Sequence, residues 1–179
     1  MDKTIQVLDK TFRPYLSEDE IQKAVEDVAK KISCDFNGKD VLLCPVLTGS
    51  YIFAADLARQ LTFDPDVAFV RYNSYQGTHS TGHVTVSLPF PEKCRGRHVI
   101  IVEDIVDSGI TMEYLLNELH QLHPMSISIC TFLFKPDNFQ KSFKIDYIGL
   151  SIPNNFILGY GLDYNGKGRS YKSLYVIDE

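Results

Sequence analysis

The run His98-Val99-Ile100-Ile101-Val102-Glu103-Asp104-Ile105-Val106-Asp107-Ser108-Gly109-Ile110-Thr111 constrains the fold more than any other part of the chain. Its first half is short, apolar and rich in β-branched residues, the composition of a strand buried on both faces. Three carboxylates within five residues follow, then a Ser-Gly turn and a threonine, and a helical pattern takes over from Met112. Open α/β sheets bind ligands beyond the carboxyl ends of such strands. The plainer alternative is an ordinary turn with solvated acids and a Thr cap. Acids this dense, directly after an apolar strand, favour a site.

The rest of the chain supplies the partners of that strand. Ile5-Gln6-Val7-Leu8 reads as a short strand, followed by a Pro-containing connection to Leu16. Ser17-Glu18-Asp19-Glu20 is a capping box, and it opens a helix with Ile21, Val25, Val28 and Ile32 at helical spacing up to Asn37-Gly38. Val41–Leu47 is an apolar strand in which Pro45 predicts an edge or a bulge. Thr48-Gly49-Ser50 turns into a helix through Ile52, Phe53, Leu57 and Leu61, and Val67–Val70 reads as a third strand. Residues 71–82 are polar and aperiodic, the pattern of a lid, before Val84–Leu88 alternates as a strand. A helix using Tyr114, Leu115, Leu119 and Leu122 stops before Pro124, and Ile127–Phe134 and Ile145–Ile152 are further strands.

This alternation predicts an α/β fold with a central, mainly parallel sheet flanked by helices. Both chain ends depart from it and are expected to pack together over the carboxyl edge of the sheet, with residues 154–169 near Asp107. The length of 179 residues suits one domain: a core over about 36–150, a small hood from 1–16 and 151–179, and a lid over about 71–86.

Composition removes several classes of function. The formal net charge of -5 argues against a nucleic-acid binder. The apolar runs are strand-length, so no membrane span is expected, and the first residues do not form a secretory signal. Cys34, Cys44, Cys94 and Cys130 show no paired spacing, and Cys44 and Cys130 sit in apolar runs as reduced core residues. A cytoplasmic enzyme or binding protein is the starting expectation.

At the central stretch, residues 107–111 offer backbone N–H groups and two hydroxyls at a helix start, an arrangement that binds phosphate. Gly109 permits close approach and a positive φ. Glu103 and Asp104 suit sugar hydroxyls, or a hydrated Mg²⁺ leaning on one or two carboxylates. Together these groups imply a phosphorylated sugar carrying further phosphates with its metal.

Val102 to Thr111 resembles the phosphoribosyl-pyrophosphate motif of the purine phosphoribosyltransferases, closest to the hypoxanthine(-guanine) phosphoribosyltransferases. Leu47-Thr48-Gly49-Ser50, Ser74-Tyr75, Lys135-Pro136, Ser151-Ile152-Pro153-Asn154-Asn155-Phe156, Gly159-Tyr160-Gly161-Leu162-Asp163-Tyr164 and Arg169 follow in that family's order. The resemblance covers roughly Val41 to Ile177 and implies the type I phosphoribosyltransferase fold. It implies transfer of a 5-phosphoribosyl group from phosphoribosyl pyrophosphate to N9 of hypoxanthine or guanine, giving IMP or GMP and pyrophosphate, with Mg²⁺. By the same resemblance Asp107 exchanges a proton with purine N7. Glu103 and Asp104 hold ribose and metal, Ser108, Gly109, Ile110 and Thr111 take the 5′-phosphate, and Thr48, Gly49 and Arg169 meet pyrophosphate. Ser74 and Tyr75 sit on the lid. Lys135 donates to O6, Phe156 stacks on the purine, Ile157 reads its edge, and Asp163 lies near the 2-position or a second Mg²⁺. A homodimer or homotetramer is implied as well. The main departure is Thr48, where the family often has Lys or Arg; loss of that cation is expected to weaken pyrophosphate binding.

Other signals carry less. Gly161–Gly168 mimics a P-loop but ends in Gly168 where a hydroxyl residue belongs. His120 and His123 share a helical pattern without a third ligand and read as surface residues, and no cysteine near the motif supports thiol catalysis. Two alternatives to the enzyme are a non-catalytic regulator using phosphoribosyl pyrophosphate as effector, and a xanthine-preferring transferase.

Overall fold

In a computed structural model, the structure describes residues 3–74 and 84–178. The elements in order are β1 (Ile5–Val7), β2 (Lys10–Leu16), α1 (Glu18–Asp35), β3 (Val41–Leu47), α2 (Tyr51–Gln60), β4 (Asp66–Val67), β5 (Val70–Ser74), β6 (Val84–Leu88), β7 (His98–Val106), α3 (Ile110–His120), β8 (Ser126–Phe134), β9 (Tyr147–Ser151), β10 (Ile157–Leu158) and β11 (Leu174–Ile177). Among the described residues the main sheet has the order β6-β5-β3-β7-β8-β9, with β4 beside β3. β3, β7, β8 and β9 run parallel, and β5 pairs antiparallel with β6 at one edge.

The apolar strands need no alternation because both faces of the sheet are covered. Val41, Leu43, Ile100, Val102, Cys130 and Phe132 pack with α1 and α2. Their neighbours Leu42, Cys44, Val99, Ile101 and Ile129 pack with Met112, Leu115 and Leu119 of α3 on the other face. α1 starts as its sequence predicts: the Ser17 hydroxyl accepts from the Glu20 N–H at 3.3 Å, and the Glu20 carboxylate accepts from the Ser17 N–H at 2.8 Å. No helix among the described residues is long and apolar enough to cross a membrane.

The chain ends form a second, antiparallel sheet in the order β1-β2-β11-β10, around Phe12, Leu158 and Tyr175. It rests against the carboxyl edge of the main sheet, where Gly161 approaches the Gly49 carbonyl so closely that a Cβ would stand 2.0 Å from that oxygen.

Four local expectations are corrected. Residues 10–16, expected as a connection, are strand β2, paired with β1 and β11 on either side. Pro45 lies in an interior strand rather than at an edge or bulge. β3 pairs with β4 through Leu42 and Leu43 and with β5 through Val46 and Leu47, so Pro45 falls opposite the interval between them, where its missing N–H breaks no ladder. The expected strand over Val67–Val70 is divided there, and residues 71–74, assigned to the aperiodic stretch, continue β5. Finally, α3 starts at Ile110, with Gly109 at φ 82° as its N-cap; His123 lies beyond its end, at φ 51°. The interior of the expected lid, 75–83, lies outside the described residues.

Candidate active site

β7 carries Glu103 and Asp104 to the carboxyl edge of the sheet, and the turn beyond it brings Asp107 into the same cavity of about 390 Å³. Gly49, the first turn of α3, Asp163 and Arg169 also line that cavity. The structure therefore gathers the acidic turn, the Gly49 loop and two hood residues at one place.

Glu103 and Asp104 are set one behind the other. The Glu103 carboxylate accepts from the Asp104 N–H at 3.3 Å, and Asp104 accepts from the Ile105 N–H at 2.8 Å. Burial pushes the Glu103 carboxyl well above the usual carboxylate range, and the adjacent Asp104 charge pushes it further. Burial also raises Asp104, against hydrogen bonds from Glu103 and Ile105 and the nearby Arg169 charge. Among the described residues neither acid makes an ion pair. Gly49 is packed onto Asp104: a Cβ there would stand 1.5 Å from Asp104 Oδ2, so only glycine fits. The Leu47–Thr48 peptide leading into this loop is cis.

Asp107 stands at the mouth of the first turn of α3, which has no side-chain cap. Its Oδ2 accepts from Lys135 Nζ at 3.1 Å and its Oδ1 accepts from Asn138 Nδ2 at 2.8 Å. Lys135 extends β8 by one residue, its N–H donating to the Val106 carbonyl at 3.0 Å, and its side chain is largely buried. This is not the solvated lysine its position before a turn would ordinarily give. Asn138, in the short helical turn after Lys135, also exchanges hydrogen bonds of 2.7 and 2.9 Å with Asn154 from the hood. No motif marked Asn138; its place three residues after Lys135, in a turn facing the acidic loop, was the available signal.

The hood supplies the remaining groups. Arg169 Nη1 donates to the Gly161 carbonyl at 2.7 Å, and its guanidinium pairs with Asp163 at 2.6 Å. The Gly166 N–H donates to Asp163 at 2.6 Å. Phe156 stays half-exposed just before β10, its ring 6.2 Å from Phe12 and 5.8 Å from Tyr164, while Ile157 is buried within β10. Thr48 faces the other way along the loop and accepts from Arg71 Nη2 at 2.8 Å. Ser74 ends β5, and Tyr75 lies outside the described residues. Among the described residues no three metal-ligating side chains form a cluster.

Residues 15–165 match the phosphoribosyl transferase domain, and the chain belongs to that family. Within it, its relatives include hypoxanthine(-guanine) phosphoribosyltransferases, as the motifs led us to expect. The hypoxanthine-guanine-xanthine phosphoribosyltransferase of Tritrichomonas foetus is 35% identical over 97% of this chain and 95% of its own. The hypoxanthine phosphoribosyltransferase of Escherichia coli K12 is 36% identical, with 86% of this chain and 88% of that protein covered. A crystal structure of a hypoxanthine-guanine phosphoribosyltransferase from Bacillus anthracis, 33% identical, superposes with a TM-score of 0.86 over 93% of this chain and 96% of that one.

Proposed function

We propose that this chain is a purine salvage enzyme that transfers the 5-phosphoribosyl group of phosphoribosyl pyrophosphate to N9 of hypoxanthine or guanine. The observation that carries the reading is the Lys135–Asp107 pair, held at 3.1 Å above the uncapped start of α3. Purine O6 and N7 lie on one edge of the base, so a lysine donor and a carboxylate acceptor side by side match that edge. In the transfer, the N9 lone pair forms the bond to C1′ while the bond from C1′ to the pyrophosphate oxygen breaks. The proton on N7 passes to Asp107, whose negative charge also steadies the cationic character developing at C1′. Ser108, Gly109, Ile110 and Thr111 cradle the 5′-phosphate with the amides of the helix start. Phe156 lies against the purine face, with the Ile157 backbone on its edge, and Asp163 sits near the 2-position. Gly49 and Arg169 meet pyrophosphate.

Two adjacent acids that make no ion pair are a donor set suited to a hard cation, so Glu103 and Asp104 would hold Mg²⁺ together with the ribose hydroxyls. When bound, Mg²⁺ would neutralise the charge of the leaving pyrophosphate. Asp163, tied to Arg169, is the candidate for a second ion.

The relatives are named as transferases of hypoxanthine and guanine, one with xanthine beside them, which supports neither a non-catalytic regulator nor a preference for xanthine. Four free cysteines, three of them buried, accord with a cytoplasmic location. The test is product analysis: purified protein with Mg²⁺, phosphoribosyl pyrophosphate and hypoxanthine or guanine should yield IMP or GMP by mass spectrometry. Ribose 5-phosphate in place of the pyrophosphate donor should yield none. Absence of nucleotide from both bases would refute the proposal.

A further inference from the structure

The Asp107 carboxylate is held at both oxygens, but its two donors are not equivalent. Lys135 Nζ, on Oδ2, also has purine O6 to serve, so the arrival of a base draws it away. Asn138 Nδ2, on Oδ1, has no such second task. The backbone fixes where Asn138 stands. The Lys135 N–H donates to the Val106 carbonyl at 3.0 Å and the Gln140 N–H to the Ser108 carbonyl at 3.3 Å, one on each side of Asp107. Between these clamps the 136–138 turn closes over the acidic loop, and Phe139 covers Gly109, where a Cβ would stand 2.7 Å from its ring.

The amide of Asn138 is oriented as well as placed. An ionised carboxylate only accepts, so the nitrogen of Asn138 faces Asp107. Its second hydrogen goes to Asn154 Oδ1 at 2.7 Å, and Asn154 Nδ2 donates back to Asn138 Oδ1 at 2.9 Å. The two amides close a ring that uses both hydrogens of Asn138 Nδ2. Asn154 lies two residues before Phe156, just beyond Ile152, whose N–H donates to the Phe134 carbonyl at 2.8 Å. A chain of hydrogen bonds thus runs from the entry of the hood to the carboxylate beside the helix start.

We propose that Asn138 is a positioning residue for proton transfer: it holds Asp107 Oδ1, so that Oδ2 stays aimed at purine N7 once Lys135 has turned to O6, and Asn154 locks the amide that does so. The inference rests on the transferase reading and deepens it. The terminal torsion of an aspartate is broad and roughly two-fold, so without a donor on Oδ1 the carboxylate turns away from the base.

The test uses the full chain with Mg²⁺, phosphoribosyl pyrophosphate and hypoxanthine, and reads the single-turnover rate of IMP formation beside both KM values. Asn138→Ala should slow that rate roughly tenfold, the size of one lost hydrogen bond to a charged group, with each KM within about threefold of wild type. Asn138→Asp has the same shape and suits the turn equally, but turns a second carboxylate towards Asp107. It should slow the rate at least as much, and it provides the test if Asn138→Ala does not fold. Asn154→Ala should cost roughly threefold alone and nothing further on top of Asn138→Ala. In an Asp107→Ala background, Asn138→Ala should change the rate by less than about twofold, because its effect passes through that carboxylate. A wild-type rate in either Asn138 variant would overturn the inference, as would a loss confined to KM or a full additional loss in the Asp107→Ala background. A wild-type protein that makes no nucleotide would instead refute the transferase reading itself.

Discussion

Lys135 Nζ donates to Asp107 Oδ2 at 3.1 Å, with the lysine side chain 11% exposed and the aspartate side chain 45% exposed. The lysine is buried, and the aspartate presents its open side to the cavity. Lys135→Ala removes the proposed O6 donor without touching the phosphate-binding turn. It should lower kcat/KM for hypoxanthine roughly 10²-fold, as expected when a site built to hydrogen-bond its substrate loses the partner. The KM for phosphoribosyl pyrophosphate should move by less than about threefold. Steady-state kinetics with each substrate varied in turn checks this; equal losses in both would assign Lys135 a structural role.

Asp107→Asn keeps one oxygen, which can accept from Lys135 or from Asn138 but not from both in place, and takes away the proton acceptor. It should reduce kcat roughly 10²-fold or more, with both KM values within a fewfold of wild type. Near-normal turnover would move the proton transfer to another group.

Gly49→Ala tests the contact between the loop and the Asp104 carboxylate. The added Cβ would stand 1.5 Å from Asp104 Oδ2, and the facing Gly161 leaves the loop no room to retreat. The KM for phosphoribosyl pyrophosphate should rise at least roughly tenfold, with the midpoint of thermal unfolding also lowered. Kinetics alongside a thermal melt measures both.

The pH dependence of stability follows from Glu103. Its carboxyl is raised well above its ordinary value of 4.5, first by burial and then by the Asp104 charge. It holds its proton more tightly folded than unfolded, so the stability it contributes is whole below that ordinary value and is lost as pH rises through the folded value. Glu103→Gln removes this loss. The variant should melt with the wild type near about pH 4 and above it near about pH 8, by roughly 2–4 °C for each kcal/mol of difference. The measurement is the metal-free unfolding midpoint of both proteins across that range. A constant or shrinking difference would contradict the sign.

How much of this was legible in the sequence varies from element to element. β7 and α3 were plain, because a buried parallel strand and a helix at its carboxyl end write their periods directly into the residues. The capping box likewise located the start of α1. β2 was hidden because Lys10, Thr11, Arg13 and Pro14 are all exposed around one buried side chain, Phe12, and its partners β1 and β11 come from opposite ends of the chain. Pro45 misled because the tolerance depends on a neighbour: the interval between β4 and β5 is a tertiary fact. At the site, the acids of β7 announced themselves by density, whereas Lys135 and Asn138 lie about 30 residues from Asp107 in sequence and meet it only because β8 lies beside β7.

The account stands most directly on base selection, measured as the ratio of kcat/KM for hypoxanthine to that for adenine with phosphoribosyl pyrophosphate and Mg²⁺. Lys135 donates, and adenine offers an amino group where hypoxanthine offers O6. The ratio should therefore exceed roughly 10³, since the mismatched base leaves a buried cation facing donors. Comparable rates with the two bases, or turnover of adenine alone, would contradict it.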